Sequence, residues 1–562
     1  MDTNKSILGI NLEGFQTFED ETYIPLGQLT FMFGPNSSGK SAIQDALELY
    51  EKLHRAWPAQ ETQGGHRSVP SHIRPLLKRH WRKEPTNGND YVASMSIAVR
   101  HYFNWRELHD NLADASNRPH LLDKSNSEEV YAFPSEITVR WIFRKESEGH
   151  YPEHFQFSVF CGEHFLFEVG ANYLRINIAS PLFRSLGLDD EKALYEGLLN
   201  IVPGKFLSVE EGVLTIVKRM ENFHPKGIPA GKTNFLGESE KDNDWLRWTR
   251  PVTLDGFKSG SVTGMEWDTL SDLVVTIGRF LGLIDKATSV ETVIVDASRV
   301  VPTTDDLSHH HPFGSYGPTA LAGEDSRVQL HSLARSLAAE VEMVIAPEKD
   351  RDEMAAYGIA VNDALARHLF VDQGYQLAIT FEYLMGRENS FRTLAKKPLD
   401  TSLLGFNCEI VLQDSAGRVL LFEDVGSGIG YVLPVLAAAC CPLKGLTVFN
   451  QQPELHLHPA LQAELGDLFI EAGITGSQQL IETHSEHLLL RILRRIREHG
   501  AAESRAQEMK ISSDDVCVLY FHPQGDGTTK VKRLRISKHG EFMDRWPNGF
   551  FNERDREMGV SL

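Results

Sequence analysis

The chain has 562 residues, more than one ordinary core accommodates, and its 41% hydrophobic residues predict a globular protein of two or three structural units. Its net charge of −20 argues against nucleic-acid binding over the whole surface and leaves only local basic segments for that purpose. The sequence shows neither a leader pattern nor an apolar run of about 18 residues, so we expect a cytoplasmic protein with no membrane partner.

The first predicted elements lead to a glycine-rich loop. The apolar run Leu29–Phe33 predicts a buried strand, which GPNSSGKS and a helix follow. Residues 34–41 fit G-x-x-x-x-G-K-[ST], in which backbone N–H groups surround phosphate oxygens, a lysine neutralises their charge and a hydroxyl binds Mg²⁺. A chance match in a glycine-rich turn is the alternative, but the strand and helix favour the phosphate loop (P-loop). The predicted ATP-binding residues are Gly34, Pro35, Asn36, Ser37, Ser38, Gly39, Lys40 and Ser41, with Mg²⁺ at Ser41.

Basic residues are concentrated in one segment near the N-terminus. Between Arg67 and Lys83 the chain carries six Lys and Arg, Trp81 and no acid. Such a segment is a candidate contact for DNA or RNA, although a charge run is more often a solvated face. A second basic group lies on a predicted helix, and three readings stay open for it: a solvated face, contact with a partner or contact with DNA. The group comprises Arg491, Arg494, Arg495 and Arg497.

The middle of the chain changes from strand-like to helix-like patterns. Four strand-like runs between residues 95 and 179 predict an antiparallel β layer. Helical periodicity in residues 190–202, 209–220, 271–285 and 328–346 predicts an inserted helical subdomain. His309, His310 and His311 lie in an expected loop, and we assign no metal to them, because consecutive histidines do not converge on one ion.

A second α/β block starts near residue 420, and its motifs carry a resemblance. The segments GFQTFED, VGSGIGYVLPVL, QPELHLHPALQAELGDLF and IETHSEHLLLRI together resemble ABC-type ATPases of the RecF/SMC/OLD kind. The phrases PELHLHPALQ and GEFMDRWPNGFF resemble bacterial anti-phage ATPases, namely the Septu ATPase subunit and its retron-associated relatives. The resemblance covers roughly residues 1–54 and 290–562.

The resemblance implies an α/β fold, an ABC-type ATPase head assembled from both chain ends, with an antiparallel β layer and an inserted helical subdomain. We therefore expect an N-terminal ATPase lobe in residues 1–54 and a β-rich region in residues 55–185. A mainly helical insertion is expected in residues 186–400, and a C-terminal ATPase lobe in residues 401–562.

Several residue roles follow from the resemblance alone. Ser427 and Gly428 match a signature motif that contacts the γ-phosphate bound to another protomer, although VGSGIG also suits a plain strand-to-helix turn. His484 matches the switch histidine, which hydrogen-bonds the γ-phosphate; taken alone it would more often be structural. Phe15, Gln16 and Phe18 match positions near the nucleotide, and Arg299 matches an arginine that follows a strand.

Two amides stand where the resemblance places acids. In hydrolytic relatives, an acid at the position of Gln451 holds the Mg²⁺ water shell and a glutamate at the position of Gln452 activates the attacking water. A carboxamide carries no charge and is no base near neutral pH, so we expect slow or absent turnover. Glu454 is the alternative base, but the turn after Pro453 is expected to direct Glu454, His456 and His458 toward a dimer interface.

The leading hypothesis is an ATP-binding regulatory or scaffold ATPase of an anti-phage complex. It would dimerise head to tail around ATP and control a separate HNH nuclease, because no nuclease centre is visible in residues 500–562. The segment between Arg67 and Lys83 would contact DNA or a reverse transcriptase with its msDNA. The runner-up is a RecF/SMC-like DNA-maintenance ATPase that binds DNA directly, and a third reading is a competent ATPase that uses Glu454.

Overall fold

The structure is a computed structural model, and its description covers the following residues: 7–56, 69, 72–83, 91–105, 135–144, 155–170, 173–177, 179–180, 207–210, 213–217, 284, 287–298, 308–311, 348–370, 373–384, 405–422, 425–441, 445–500 and 509–547. The chain divides into two compact units. The first comprises residues 1–6, 25–44 and 290–562, and the second comprises residues 7–24 and 45–289. The first unit is therefore built from both ends of the chain.

The elements are numbered in chain order. The strands are β1 (Ile7–Glu13), β2 (Thr22–Pro25), β3 (Leu29–Phe33), β4 (Ser94–Tyr102), β5 (Glu136–Arg144), β6 (Phe155–Cys161), β7 (His164–Val169), β8 (Tyr173–Asn177), β9 (Leu207–Glu210), β10 (Val213–Val217), β11 (Thr292–Val295), β12 (Ser308–His311), β13 (Gln376–Leu384), β14 (Gly405–Gln413), β15 (Val419–Leu420), β16 (Thr447–Gln451), β17 (Gln478–Glu482), β18 (Val516–Pro523) and β19 (Thr529–Leu534). The helices are α1 (Ala42–Ala56), α2 (Arg74–His80), α3 (Glu348–His368), α4 (Ser427–Ala439), α5 (Pro459–Thr475) and α6 (Glu486–Gly500).

The second unit contains a nine-stranded sheet in the order β2-β1-β4-β5-β6-β7-β8-β10-β9. The strands from β4 to β8 pair antiparallel with their neighbours, which confirms the antiparallel β layer expected from the sequence. One face is rich in buried aromatic side chains; the rings of Trp141 and Phe157, for example, are 4.8 Å apart. Alternation of buried and less buried residues along β5 is the pattern of a sheet with one well-covered face.

One helical prediction for this region is wrong. Residues 209–220 were expected to be helical, but β9 and β10 lie there and pair antiparallel, with Val213 opposite Glu210. Only Glu211 and Gly212 separate the two strands. The run Val-Leu-Thr-Ile-Val is dominated by β-branched residues, which lose side-chain freedom in a helix and fit a pleated strand.

The first unit is organised by a six-stranded sheet in the order β11-β16-β17-β3-β18-β19. Its first five strands are parallel, and β19 returns antiparallel to β18. Strand β3 comes from the N-terminal part of the chain and lies between β17 and β18 of the C-terminal part. All five residues of β3 are buried, as expected for a parallel strand covered on both faces. The expected α/β head assembled from both chain ends is therefore present.

Helices α4, α5 and α6 contribute apolar side chains to the core around this sheet. The buried set includes Val432 and Leu436 of α4, Phe469 of α5 and Ile492 of α6. Helix α5 begins at Pro459 behind the N-cap His458, and Gly476 ends it in the left-handed conformation at φ 116°. These caps fix the segments that precede and follow α5, and both segments lead to the candidate site.

The second basic group forms ion pairs inside the first unit. Arg491 and Arg495 both donate to the buried carboxylate of Asp467, with shortest distances of 2.7 and 2.5 Å. Arg494 donates to Glu498 at 2.6 Å, and Arg497 donates to the carbonyl of His539 at 3.2 Å. These arginines therefore tie α6 to α5 and to the C-terminal segment.

A smaller sheet in the first unit has the order β12-β14-β13, with β15 paired to β14. His309, His310 and His311 lie in β12 and pair with β14, so the expectation of a loop is wrong for them. Among the described residues, no helix has the length and apolar character needed to cross a membrane.

Several predictions lie outside the described residues. They include Arg67, Arg299 and the helical runs of residues 190–202 and 328–346. Within residues 186–400, the described part contains helix α3 and strands β9 to β13.

Candidate functional site

The P-loop follows β3 directly and leads into α1. Gly34 has φ 145°, and a Cβ added there would lie 2.5 Å from the carbonyl oxygen of Phe521 in β18. Ser37 and Gly39 also have positive φ angles of 60° and 89°. The loop therefore requires glycine at residue 34 and turns tightly before α1, where the N–H groups of Ala42 and Ile43 donate to the carbonyls of Gly39 and Lys40 at 3.2 Å. Such a helix N-terminus favours bound phosphate.

Lys40 is held inside this loop. Its ammonium donates to the carbonyl oxygens of Gly34 at 3.0 Å and Pro35 at 2.8 Å. The carboxylate of Glu482 lies 3.6 Å away. Burial lowers the pKa of Lys40, and the negative charge of Glu482 opposes that shift. The lysine thus has a fixed place beside the helix N-terminus, close to an acid that sequence reasoning did not single out.

Glu482 is the last residue of β17, and its carboxylate faces the P-loop. The hydroxyl of Ser41 donates to Glu482 Oε2 at 3.3 Å. The residue is only 8% exposed. Because β17 lies between β16 and β3 in the sheet, its last residue ends next to the P-loop. The sequence signal was an acid directly after the run Gln-Gln-Leu-Ile of residues 478–481, in the same IETHS segment that drew attention to His484.

Gln451 ends the next strand, β16, and both ends of its amide are hydrogen-bonded. Its Nε2 donates to Gln44 Oε1 at 2.7 Å, and its Oε1 accepts from the backbone N–H of Ala297 at 3.2 Å. The orientation of such amides follows from the network of hydrogen bonds around them. Gln451 therefore reaches the first turn of α1, where it takes part in amide hydrogen bonds and brings no charge.

Gln452 directly follows β16 in an unusual backbone conformation. Its φ is 44°, and its backbone N–H donates to the carbonyl of Glu482 at 2.7 Å. A left-handed conformation costs a non-glycine residue roughly 1–2 kcal/mol, so surrounding contacts must maintain it. The bond to Glu482 links the ends of β16 and β17 at the site.

The side chain of Glu454 is buried beside the backbone of His484 and does not lie at a surface. It is 8% exposed, and its Oε1 accepts from the backbone N–H of His484 at 2.7 Å. The expectation that the turn directs Glu454 toward a dimer interface is therefore wrong, because the carboxylate satisfies a peptide N–H inside the unit. His456 and His458 are exposed; His456 stacks on Tyr431 with ring centroids 4.1 Å apart, and His458 caps α5.

His484 directly follows the buried Thr483, and its side chain is close enough to Lys40 to be influenced by its charge. Burial lowers the pKa of His484, and the positive charge of Lys40 lowers it further. The lowered pKa favours the neutral imidazole, a form in which one ring nitrogen donates and the other accepts.

The predicted signature residues stand at the start of α4. Gly426 is the N-cap residue, without a side-chain hydrogen bond, and Ser427 is exposed. A Cβ added to Gly428 would lie 3.0 Å from the carbonyl oxygen of His456, so this end of α4 packs closely on the turn after β16. The first N–H groups of α4 therefore lie at a helix N-terminus whose first residue, Ser427, is exposed.

The residues expected near the adenine lie in the second unit. Phe15 and Phe18 are 0% and 1% exposed, and the Phe15 ring stacks on His80 at 5.5 Å. Gln16 donates to Asp45 at 2.6 Å. Both phenylalanine rings are core residues here and present no free face to an adenine ring.

The basic segment is only partly available to a partner. Arg82 pairs with Glu19 at 3.1 Å, Arg74 donates to the carbonyl of Val69 at 3.0 Å, and Trp81 is 5% exposed. Among the described residues of the segment, the exposed cations are Lys78, Arg79 and Lys83. The charge run is therefore divided between structural contacts and a small exposed set.

Comparison with known proteins supports the nucleotide-binding assignment. A family described as "AAA domain, putative AbiEii toxin, Type IV TA system" matches residues 360–491. A family described as "Protein of unknown function (DUF3696)" matches residues 511–560. No curated protein matches the chain.

Solved structures of SMC head domains match over most of the chain at low similarity. One is the Smc head of Pyrococcus furiosus bound to the C-terminal domain of ScpA, with 12% identity, TM-score 0.36, and coverage of 94% of this chain and 96% of that one. Another is the SMC head domain of Thermotoga maritima, with 9% identity, TM-score 0.34, and coverage of 94% and 100%. The α/β fold class therefore rests on the strand order and the P-loop, and the AAA-domain match agrees with a nucleotide-binding domain.

Proposed function

We propose that this chain binds ATP with Mg²⁺ at the P-loop, hydrolyses it slowly, and serves as the nucleotide-dependent regulatory subunit of an anti-phage complex. Phosphate binding draws on the Gly34 turn, Lys40 and the N-terminus of α1. These groups are independent of the acids that hydrolysis needs, so binding and turnover are separable.

The observation that carries the proposal is the end of β16. Gln451 has its amide engaged by Gln44 and Ala297, and Gln452 offers no carboxylate to activate water. The nearest acid along the chain, Glu454, accepts a hydrogen bond from the backbone of His484. Loss of a general base alone slows a reaction by about 10²–10⁴-fold. We therefore expect ATP to remain bound long enough to act as a switch.

The switch itself is a head-to-tail dimer. Ser427 and Gly428 open α4, and the helix end that they form would contact the γ-phosphate bound to a second copy. A neutral His484 would donate a hydrogen bond to the same phosphate. Because these contacts exist only in the closed dimer, ATP would favour that state through its differential affinity.

A separate HNH nuclease is the partner that we propose for this switch. Support comes from the resemblance of PELHLHPALQ and GEFMDRWPNGFF to Septu and retron-associated ATPases. The description of the family matching residues 360–491 also names a putative toxin of a toxin–antitoxin system. A reverse transcriptase with its msDNA is a further candidate partner for the exposed part of the basic segment.

The test measures mass and partner binding with and without nucleotide. The chain is purified from its native host with its co-eluting protein, and complex mass and nuclease activity are recorded with no nucleotide and with ATP and Mg²⁺. We expect ATP to shift the complex to a form with paired ATPase chains and to change nuclease activity. Ser427→Arg should block the mass shift while leaving ATP binding intact. Equal mass and equal nuclease activity in both conditions would reject the proposal.

A second candidate is an ATPase that binds DNA directly, as a RecF/SMC-like protein would. It is favoured by the exposed Lys78, Arg79 and Lys83. Charge reversal at Lys78 and Arg79 should then weaken duplex binding and reduce its salt dependence. Lys530→Glu with Lys532→Glu, an equal charge change at exposed residues of β19, is the control. Salt-dependent binding that only the first pair removes would favour this candidate.

A further inference from the structure

We infer that Glu482, together with Ser41, forms the divalent-cation site for the bound nucleotide and takes the place of the acid that is missing from the end of β16. The inference rests on the proposed ATP binding, and it assigns the cation to the end of β17 and not to the end of β16. It concerns binding and positioning, and the slow hydrolysis proposed above is unchanged by it.

The geometry brings two oxygen donors of suitable chemistry together. The Ser41 hydroxyl and Glu482 Oε2 are 3.3 Å apart. Ser41 belongs to the P-loop and is exposed, so this pair of donors can reach a nucleotide at the loop. Carboxylate and hydroxyl oxygens are ligands that Mg²⁺ accepts, and it commonly binds through one or two protein oxygens together with the phosphates of its substrate. The donor set therefore fits a nucleotide-bound magnesium ion.

Charge balance gives an independent reason for a cation at Glu482. Its carboxylate is 8% exposed, and Lys40 lies 3.6 Å from it. Phosphates bound at the P-loop would draw on the charge of Lys40 and would stand beside the Glu482 carboxylate. Two groups of negative charge at one partly buried site repel each other strongly. A divalent cation shared by the phosphates and Glu482 removes this repulsion and keeps the carboxylate paired.

The end of β16 is a poorer place for the same ion. Gln451 offers one neutral oxygen, and that oxygen already accepts from Ala297 at 3.2 Å. Its Nε2 donates to Gln44, so an ion at this side chain would displace both hydrogen bonds. Strand β17 is the direct neighbour of β3, and the Glu482 carboxylate lies 3.3 Å from the Ser41 hydroxyl of the P-loop. The acid adjacent to the P-loop is thus on β17.

The experiment measures ATP affinity by titration calorimetry, once in Mg²⁺ and once in EDTA, on the full chain. In the unmodified chain we expect Mg²⁺ to tighten ATP binding by about 5- to 150-fold, the usual range for two coupled ligands. In Glu482→Gln we expect less than about a twofold effect of Mg²⁺. The same variant should bind ATP several-fold more tightly than the unmodified chain in EDTA, because a repelling charge has been removed.

Two further variants separate this role from a structural one. Glu486→Gln makes the same charge change four residues later, at an exposed side chain of α6, and should retain the Mg²⁺ effect. Glu482→Asp keeps the charge with a shorter reach and should retain part of the effect. If Glu482→Gln melts early, Glu482→Asp and Ser41→Ala carry the comparison, and both should lower the Mg²⁺ effect.

The outcomes distinguish a failure of the Glu482 cation site from a failure of the proposed ATP binding. No ATP binding by the unmodified chain in either buffer would reject the proposed function itself. Tight ATP binding with a full Mg²⁺ effect in Glu482→Gln would reject the inference and leave ATP binding standing. A full Mg²⁺ effect in Glu482→Gln together with loss of residual hydrolysis would show that Glu482 activates water, which also overturns the cation role.

Discussion

The ends of β16 and β17 lie side by side in the same sheet and have opposite character. Gln451 ends β16 with a neutral amide, held by Gln44 and Ala297. Glu482 ends β17 with a carboxylate beside Lys40 and Ser41. The register pairs Gln451 with Glu482 directly, so the two residues occupy equivalent places on adjacent strands. The carboxylate therefore lies on the direct neighbour of β3, one strand closer to the P-loop than Gln451.

This difference separates two tasks that acids at the end of one strand perform together in hydrolytic P-loop ATPases. A carboxylate next to the P-loop can hold a cation and position phosphates. Activation of water requires a base on the other side of the γ-phosphate, and Gln452 supplies none. On the proposed function, such a site binds its ligand and turns it over slowly.

The largest expected effect comes from removal of the Lys40 ammonium, which lies in the P-loop beside the Glu482 carboxylate. Lys40→Met should weaken ATP binding by about 10- to 100-fold, because hydrogen bonds to charged groups contribute about 1.5–3 kcal/mol each. ATP titration in Mg²⁺ measures the change. Lys52→Met is the matched control, since Lys52 lies on α1, the helix that follows the P-loop, and pairs with Glu48 at 2.7 Å. Equal losses in both variants would contradict the role assigned to Lys40.

A gain of function is expected at the end of β16. Gln452→Glu should raise the rate of phosphate release by about tenfold or more, because it adds a candidate base next to the proposed ATP site. Single-turnover phosphate release at saturating ATP measures it. Gln373→Glu, at an exposed residue before β13, adds the same charge elsewhere in the first unit and should leave the rate unchanged. An unaltered rate in Gln452→Glu, with ATP still bound, would show that the missing acid does not limit turnover.

The sequence identified much of this site but not its decisive acid. The P-loop was recognisable because its glycines and lysine have fixed spacing, and α4 followed from a small-residue segment before an apolar run. Glu482 was missed because its contact with Ser41 depends on which strand lies next to β3, and strand order is a long-range property. The β9 and β10 error has a local cause, since β-branched residues outweighed a helix-like spacing.

A smaller effect is expected from loss of the amide that fills the end of β16. Gln451→Ala should lower the free energy of unfolding by about 1 kcal/mol, because it removes the partners of Gln44 and of the Ala297 N–H. Chemical denaturation measures the loss. The effect of Mg²⁺ on ATP affinity should stay as in the unmodified chain, in contrast to Glu482→Gln. A joint loss of stability and of the Mg²⁺ effect would place the cation at Gln451.

The central claim is that ATP stays bound and intact on this chain for much longer than on an ordinary phosphoryl-transfer enzyme. The most direct measurement isolates the complex formed with γ-labelled ATP and Mg²⁺ and follows both the intact nucleotide and the mass of the complex over time. We predict that ATP remains intact over many minutes while the chain stays paired. Phosphate release at roughly 1–100 s⁻¹, the rate of ordinary phosphoryl-transfer enzymes, would contradict the account.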